Sequence, residues 1–577
     1  MSATQPNRIL EIIRRMPSLG EIFFFGKLAK LFRAIALWRK QRKLRKAARQ
    51  EQRRRFLLET LEPRVLLSAD VTYGALAPHD MTLVAEHVGS DDVLKLYETG
   101  TSNVVTSVIL DDSLDVNVII KRDTLADANG DRIRIDLDSM NLLNTFVSSN
   151  GGMLNIDVQG GTETPLSDDH VNLTETGSPT TLAFGLHVTS SSDLVIGVGN
   201  LTLAGDFHVD AKDLIAFGAS RIDAGVNDIN LTVNSTSDGL LGSGLLANSA
   251  AAITIDGGWL TGHDITIEAK STVNVTPSLP DFDVLHVSIA TVDSNASVVI
   301  KDNLAHSSFA TITASGNLTV HAFSDVTVSA VIQPDSTGTN TDVDAAAAIT
   351  HITSASKVGV EGNSALNATS GDIQLHADNT VHATTTANAA NASKGAAVAV
   401  THINGDTTAY ISGGSAASAH TIDLVAASTR TATTTAISAA EGATSSAGGT
   451  NKSEQALQDP NADSDTSDRA ASSGGNVDLA GAVAVSVVNN TTEAYLSGTG
   501  LLTASTGNIS VHAQSTTESI TKADGSTTGG TGSGVGIGVA INIASSNTKA
   551  HLDNSTNFNT THVVDVKASS TANKFSA

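Results

Sequence analysis

Cysteine is absent from this 577-residue sequence, and aromatic residues make up only 3% of it, with two tryptophans. The lack of cysteine excludes a disulfide framework and thiol chemistry, although it does not fix the cellular compartment. Compact globular cores draw much of their buried area from large aromatic side chains. A chain with so few aromatics favours stacked short strands, because each unit only has to cover its neighbour with Val, Ile and Ala.

The N-terminal region also lacks a long apolar run, since its longest uncharged one is "IFFFG" (Ile22–Gly26). That run is far shorter than the roughly 18–20 residues that span a bilayer, and shorter than the roughly 7–15-residue apolar region of a secretory signal. The stretch from Gly26 to Arg55 has helical spacing instead. Its apolar stripe consists of Leu28, Leu31, Phe32, Ile35 and Trp38, with Arg and Lys elsewhere. The pattern predicts a basic amphipathic helix.

Charge is divided between this segment and the rest of the chain. Residues 1–64 contain 17 Lys and Arg against five acids, a net charge of +12, whereas the remainder has 18 basic and 54 acidic residues, a net charge of −36. An acidic body repels nucleic acid and anionic membranes and favours divalent cations. Three interpretations of the basic segment stay open: a leader that contacts membrane or the secretion machinery, a solvated tail, and a nucleic-acid-binding arm, which the acidic body disfavours.

Directly after the basic segment, Phe56–Asp70 reads "FLLETLEPRVLLSAD". Proline disfavours helix at the residue before it, so the basic helix is predicted to end near Pro63 and an extended segment to begin. The residues "LEPRVLL" resemble the LEPR-XLL motif near the N-terminus of very large, repetitive bacterial surface or secreted proteins. The resemblance implies a sorting or export role for Leu61, Glu62, Pro63, Arg64, Leu66 and Leu67. Ser68 and Ala69 would suit a cleavage site, and a helix that simply ends in a linker is the alternative.

Residues 1–70 are thus interpreted as a basic, partly helical leader, and residues 71–284 as a β-rich region of irregular strands. In the latter, "VNVIIKRDTL" (Val116–Leu125) and "ITIEAKSTVNV" (Ile265–Val275) alternate apolar and polar residues, as half-buried strands do. Gly, Asn and Asp punctuate such segments at short intervals, as turns require. No helix is predicted there, and the fold class is all-β.

Residues 285–577 repeat one pattern. "GAVAVSVVNNTTEAYLSGTG" (Gly481–Gly500) overlays "AAVAVTHINGDTTAYISG" (Ala396–Gly413) without a gap. Five copies can be aligned on Val299, Gly359, Tyr410, Tyr495 and His551, and each is followed by an alternating strand that begins at Leu318, Ile373, Ile422, Ile509 or Val564. Variable loops are expected between copies, and the acidic insertion 448–475 is predicted to be disordered.

Strands that recur in this way predict a parallel β-solenoid, specifically a right-handed β-helix with about 20–25 residues per coil. In "GVGIGVAIN" (Gly534–Asn542), Val and Ile alternate with Gly and Ala. We expect Val535, Ile537, Val539 and Ile541 to fill the interior and the glycine-rich face to be bare. A series of antiparallel β-sandwich domains is the alternative fold.

Two sets of residues are candidates for metal binding. Asp127, Asn129, Asp131 and Asp138 occupy positions 1, 3, 5 and 12 of an EF-type calcium loop, but Arg132 replaces the turn glycine, and a turn between two strands explains the pattern equally well. No cofactor is expected, with calcium at these four residues as the one exception that the pattern allows. His321, His376 and His512 stand at equivalent outward positions; with copies expected several coils apart, we interpret them as surface histidines.

The body contains no recognisable catalytic motif, so the chain is not expected to be an enzyme. The hypothesis is an extracellular or cell-surface structural or adhesion repeat protein, the stalk of a large adhesin or biofilm-matrix protein, with the chain a fragment of it. Expected partners are the secretion machinery, through the leader, and a glycan or protein of a host or matrix surface, with no nucleic acid. The alternatives are a β-helix polysaccharide lyase or hydrolase, and a secreted toxin-like repeat protein whose active module lies outside this chain.

Overall fold

The computed structural model describes residues 68–577, except 77–79, 111–114, 123–131, 150–151, 160–169, 176–178, 238–245, 278–284, 306, 333–343, 390–393, 439–477, 527–533 and 554. All of these residues belong to one compact unit, Ser68–Ala577. The predicted helix of the leader, the motif Leu61–Leu67 and the insertion 448–475 lie outside the described residues.

The elements follow one another in chain order. The first are β1 (Ser68–Leu76), β2 (Met81–Val88), β3 (Asp91–Glu98), β4 (Val104–Ile109), β5 (Asp115–Arg122), β6 (Arg132–Asp136), α1 (Leu137–Met140), the 3-10 helix η1 (Asn141–Leu143), α2 (Asn144–Ser149) and β7 (Met153–Gln159). The next are β8 (His170–Thr174), β9 (Thr180–Leu182), β10 (Gly185–Ser190), β11 (Asp193–Gly197), β12 (Asn200–Leu203), β13 (Phe207–Ala211), β14 (Leu214–Phe217), β15 (Arg221–Asp223), β16 (Ile229–Ser237), β17 (Leu246–Asp256), β18 (Trp259–Gly262) and β19 (Ile265–Val275).

The remaining elements belong to the repeats. They are β20 (Leu285–Lys301), β21 (Thr311–Ala314), β22 (Leu318–Val331), β23 (Asp344–Val360), β24 (Ala365–Ala368), β25 (Ile373–Asn388), β26 (Lys394–Ile411), β27 (Ala416–Ala419), β28 (Ile422–Ile437), β29 (Asp478–Leu496), β30 (Leu501–Ala504), β31 (Ile509–Asp524), β32 (Gly534–Leu552), β33 (Asn557–Thr560) and β34 (Val564–Ser576).

These strands form three long sheets. Sheet 1 has the order β1-β5-β7-β10-β13-β16-β19-β22-β25-β28-β31-β34, sheet 2 the order β32-β29-β26-β23-β20-β17-β14-β11-β8-β6-β2-β3-β4, and sheet 3 the order β33-β30-β27-β24-β21-β18-β15-β12-β9. From β8 onward, each coil gives one strand to sheet 2, one to sheet 3 and one to sheet 1, and strands of successive coils pair in parallel. Among the described strands, antiparallel pairing joins β2 to β3 and β3 to β4. The fold is an all-β parallel β-helix, as predicted; its right-handed sense stays a prediction.

The three sheets enclose a continuous apolar core, the first core, filled by every second strand residue. The largest buried side chains of its early coils are Phe184, Phe207 and Phe217, all at most 1% exposed. Coils here are short, since Leu194 of β11 pairs with Ile215 of β14 in the next coil. Because the interior is bounded on three sides, large side chains are needed to reach its centre.

A row of acidic and amide side chains stabilises the turns that precede the strands of sheet 1. Each accepts a hydrogen bond of 2.7–3.1 Å from a backbone N–H at the matching position of the next coil. The acceptors, in order, are Asp206, Asp228, Asp264, Asn317 and Asp372. Because these N–H groups leave the strand ladder at the turn, the side chains satisfy donors that would otherwise lack a partner.

One coil contains helices, contrary to the expectation for residues 71–284. Between β6 and β7, α1, η1 and α2 stand where later coils place a sheet 3 strand. Leu137, Met140, Leu143 and Val147 are fully buried, so the helical turns cover the first core with one apolar side. Segments as short as α1 and α2 cannot show helical periodicity in sequence.

The five repeats stack in the register that their sequences predict. Val299 pairs with Gly359, Gly359 with Tyr410, Tyr410 with Tyr495, and Tyr495 with His551. The second-strand anchors Leu318, Ile373, Ile422, Ile509 and Val564 are likewise aligned in sheet 1. The predicted coil length was wrong for this region, because each whole copy of the repeat, with its insertion, forms a single coil: Ala409 of one copy pairs directly with Ala494 of the next.

The long coils extend sheets 1 and 2 beyond the three-sided part. Strands of these sheets from β20 onward have 13–19 residues, and their added halves pack face to face. A second core contains, among others, Val292, Val328, Ile352, Val381 and Ile403. A third core, farther from the first, consists of Ile332 and the alanines 346, 348, 387, 389, 397, 399, 436, 482 and 484.

Rows of buried hydroxyl groups separate the three cores. In the first row, side chains of sheets 2 and 1 alternate at hydrogen-bond distances of 2.6–3.0 Å: Ser249, Ser271, Ser294, Ser324, Ser354 and Asn379. In the second row, Thr350, Thr385, Thr401 and Thr434 lie 2.6–2.8 Å apart. A buried hydroxyl without a partner costs about 1–3 kcal/mol. The rows therefore hold the two sheets in register as well as together.

The direction of the branched side chains in Gly534–Asn542 was predicted wrongly. Val535, Ile537, Val539 and Ile541 alternate with Gly and Ala as expected, but they are 40–57% exposed. Their neighbours Gly536, Gly538 and Ala540 pair with the buried Ala480, Ala482 and Ala484. A β-carbon on Gly538 would lie 2.7 Å from the carbonyl oxygen of Ala523 in sheet 1. Two sheets this close admit only small inward side chains, so the branched ones face outward.

One coil departs from the hydroxyl pattern. Arg430 occupies the place that Val381 has in the coil before, and Gly405 the place of Ser354. Arg430 is fully buried; its Nη1 donates to the carbonyl oxygens of Asn379 (2.6 Å) and Thr429 (3.1 Å), while Nε and Nη2 have no hydrogen-bond partner among the described residues. A β-carbon at Gly405 would collide with the guanidinium. Burial lowers the pKa of Arg430 to about 9.

Candidate functional site

The outer face of sheet 1 carries a series of contacts between histidine and aspartate side chains, here called the histidine–aspartate row. Strand residues alternate between core and surface, so every second residue reaches this face. The contacts are His187–Asp210 (3.0 Å), His208–Asp210 (3.2 Å), His321–Asp378 (2.8 Å), His376–Asp423 (3.3 Å) and His512–Asp565 (3.0 Å).

One member of the row brings two histidines to one carboxylate. His187 of β10 pairs in register with His208 of β13, and Asp210 follows two residues later on the same face. Both Nε2 atoms contact the same oxygen, Asp210 Oδ2. The imidazole rings are 4.4 Å apart and tilted by 30°. Thr189 Oγ1 lies 3.3 Å from His187 Nε2 and completes a polar cluster.

The hydrogen bonds of this cluster stabilise the positive charge of a protonated histidine and the negative charge of Asp210. The hydrogen bond with Asp210 raises the pKa of His208 above its ordinary value, despite partial burial. Burial alone would raise the pKa of the Asp210 carboxyl, but the hydrogen bonds from His187 and His208 outweigh it and hold that pKa well below its usual range. The carboxylate is therefore ionised under all ordinary conditions and attracts positive charge.

The backbone around the cluster is fixed by the core. Leu186, Val188, Phe207 and Val209, which flank the two histidines in sequence, are all fully buried. Parallel pairing continues on both sides, from β7 to β16. The positions of the three side chains are thus set by strands that cannot shift without opening the first core.

The histidines singled out from the sequence belong to the same row. His321 pairs with His376 in register, and Val425 stands between His376 and His512. Equivalent outward positions are confirmed, but the expected separation by several coils was wrong, since His321 and His376 lie on adjacent coils. Each of the three contacts its own aspartate.

A second three-residue group lies at the corner before sheet 1. His263 Nδ1 is 3.3 Å from Asp228 Oδ1 and 3.7 Å from Asp264 Oδ2. Asp228 Oδ1 accepts the Asp264 N–H, and Asp264 Oδ1 accepts the Asn317 N–H. These carboxylates stabilise the turns of successive coils. Within the described part of the chain, this group and His187–His208–Asp210 are the sets of three side chains close enough to share a cation.

The calcium prediction concerns a different region. Asp127, Asn129 and Asp131 lie outside the described residues. Asp138 lies in α1 and accepts a hydrogen bond from Thr180 Oγ1 at 2.9 Å. Calcium binding by these four residues stays a prediction.

An aromatic stack marks the outer face of sheet 2. The rings of Tyr410 and Tyr495 are 5.0 Å apart and nearly parallel, and His551 follows at 5.2 Å. The Tyr410 hydroxyl donates to Glu361, and burial, followed by this hydrogen bond, raises the pKa of Tyr410 above its ordinary value. The three residues of the stack are the positions on which three successive copies of the repeat were aligned.

The His187–His208–Asp210 cluster was not predicted from the sequence, although a signal was present. "LHVTS" (Leu186–Ser190) and "FHVDA" (Phe207–Ala211) share an apolar-His-Val pattern. Knowing that the second segment follows the first by one coil would have placed the two histidines side by side.

No protein-family model matches the chain, and neither the curated proteins nor the solved structures contain a match. In the described residues, no helix has the length and apolar character that a membrane crossing requires.

Proposed function

We propose that this chain is an extracellular or cell-surface structural repeat protein, the stalk of a large adhesin or biofilm-matrix protein. It would present variable segments on a constant scaffold, and adhesion would come from contacts repeated along the surface.

The observation that carries the proposal is the place of the insertions. In the repeats, the connections whose length varies most join a sheet 1 strand to the next sheet 2 strand. The shortest of them is 389–393, between β25 and β26, and the longest is 438–477, between β28 and β29. The register across both connections is unbroken: Ala348 pairs with Ala399, and Ala399 with Ala484. Insertions therefore do not disturb the coil that carries them, as a display scaffold requires.

Charge and the N-terminal motif support a place outside the cell. The resemblance of "LEPRVLL" to the LEPR-XLL motif links the leader to export, with Leu61, Glu62, Pro63, Arg64, Leu66 and Leu67 as the residues that the machinery would recognise. An acidic body stays soluble and avoids anionic membranes and nucleic acid.

Cell fractionation tests the location. An antibody against the repeats is used on intact cells that produce the chain, before and after external protease, and on the medium. We expect surface or medium signal for the natural chain and for the control Arg55→Ala/Leu57→Ala, and intracellular accumulation for Arg64→Ala/Leu66→Ala. A wholly cytosolic pool of the natural chain would overturn the proposal.

A separate degradation assay tests the alternative that the chain is a polysaccharide lyase or hydrolase. The purified chain is incubated with acidic polysaccharides, and the length of the polysaccharides is followed over time. We expect no shortening. Depolymerisation at a steady rate that scales with protein concentration would replace the structural function with the polysaccharide lyase or hydrolase, whatever the location.

A further inference from the structure

We propose that His187, His208 and Asp210 form a binding site for a divalent transition-metal cation of the Zn²⁺ class. The site is independent of the proposed stalk function.

The first support is the spacing of the ligand atoms. Two ligands bonded at about 2.0–2.1 Å to a tetrahedral Zn²⁺ lie about 3.3 Å apart. Asp210 Oδ2 lies 3.0 Å from His187 Nε2 and 3.2 Å from His208 Nε2, and all three ligand atoms lie within 4.8 Å of one another. Small side-chain rotations therefore suffice to place a cation between them.

The second support is the chemistry of the donors. Two imidazole nitrogens and one carboxylate oxygen suit Zn²⁺ and its transition-metal neighbours. Ca²⁺ and Mg²⁺ prefer shells made of oxygen and are poorly served by this set. The three side chains are 31–37% exposed, so the remaining position of a tetrahedral ion faces solvent and would hold water.

The third support is preorganisation. The ligands stand on two hydrogen-bonded strands whose inward neighbours are fully buried. Little conformational freedom remains to be lost when an ion binds, so a site with only three protein ligands can still be selective.

Zn²⁺ titration of the full chain tests the proposal. The protein is stripped of metal with a chelator, and Zn²⁺ affinity and stoichiometry are measured by competition with a chromophoric chelator. We expect one site per chain that is tighter than all others. His208→Gln and Asp210→Asn should each weaken this site at least about tenfold. His321→Gln removes a histidine–aspartate pair from the same face and should leave the site unchanged.

Two further measurements keep the test decisive. Thermal unfolding of each metal-free variant shows whether it is folded, and Asp210→Asn preserves shape if His208→Gln does not fold. Visible absorption of bound Co²⁺ should appear in the natural chain and in His321→Gln, and be lost in Asp210→Asn. Equal Zn²⁺ binding by the natural chain and Asp210→Asn, or preferential binding of Ca²⁺ at this position, would overturn the proposal.

Discussion

The early coils, from β8 to β16, and the five repeats, from β20 to β34, use the same order of sheets but fill them with different side chains. The early coils bury Phe184, Phe207 and Phe217. The added halves of the repeats bury alanines and hydroxyl groups. The difference follows from the distance between facing backbones. Three sheets around one axis leave a wide interior, whereas two sheets face to face leave a narrow one.

The order of the inward side chains along β23 shows how the two-sheet part of a coil continues into the three-sheet part. In β23, Ala348 belongs to the third core, Thr350 to the second hydroxyl row, Ile352 to the second core, Ser354 to the first hydroxyl row and Val358 to the first core. The apolar side chain is Ala in the narrow third core and the larger Ile or Val in the second and first cores, with small hydroxyl side chains between them. Hydroxyl rows at fixed depths add register specificity, because a one-residue slip would turn them toward solvent.

The largest effect is expected from emptying the three-sided core. Phe207→Ala removes a fully buried ring, and the surrounding coils can collapse only partly, so the free energy of unfolding should fall by about 3–5 kcal/mol. Denaturant unfolding measures the loss, and hydrogen exchange should place it in β10, β13 and β16. Val226→Ala, at an exposed turn residue, is the control and should change stability by less than about 0.5 kcal/mol. Equal effects of the two substitutions would mean that the ring is not part of the core.

Restoring the hydroxyl pattern of the repeats should stabilise them. The double variant Gly405→Ser/Arg430→Val places in this coil the residue types that Ser354 and Val381 provide in the preceding coil. It also removes the buried charge of Arg430, whose Nε and Nη2 have no hydrogen-bond partner among the described residues. We expect a gain of about 1–4 kcal/mol at pH 7, measured by denaturant unfolding.

The same double variant has a defined pH dependence. The pKa of Arg430 falls from 12.5 to about 9 on folding, so the folded chain disfavours the charged form, and the penalty is full below about pH 9. As the pH rises above 9, the guanidinium loses its proton in the folded chain and the penalty is relieved. The advantage of the variant should therefore be larger at pH 7 than at pH 10. A constant or growing advantage would show that the pKa of Arg430 is not lowered to about 9 in the folded chain.

A smaller effect is expected from enlarging the third core. Ala399→Leu places three extra carbons between sheets 1 and 2 and should destabilise the repeats by about 1–3 kcal/mol. Its matched control is Val398→Leu, the outward neighbour on the same strand, which is 40% exposed and should be neutral within about 0.5 kcal/mol. Hydrogen exchange in β23, β26 and β29 locates the change. If Val398→Leu were the more harmful of the two, the inward and outward faces would be reversed.

Much of the fold was predictable because strand stacking repeats local patterns. The anchors from Val299 to His551 pair as their alignment requires. The outward positions of His321, His376 and His512 were also predictable, because alternation in a strand is local. The pairing of each histidine with an aspartate of the next coil was not, since it depends on which residues of distant coils become neighbours.

The sequence by itself determined an all-β chain of parallel coils and which residues of the five repeats stand above one another, because side-chain alternation and repetition are properties of neighbouring residues. Tertiary structure decided how much of the chain makes one coil, which face of Gly534–Asn542 points inward, and that His187 and His208 meet at Asp210. Those outcomes depend on the distance between whole sheets and on the lengths of the connections, which range from 389–393 to 438–477. A local sequence pattern encodes neither the sheet distance nor which strands a connection brings together.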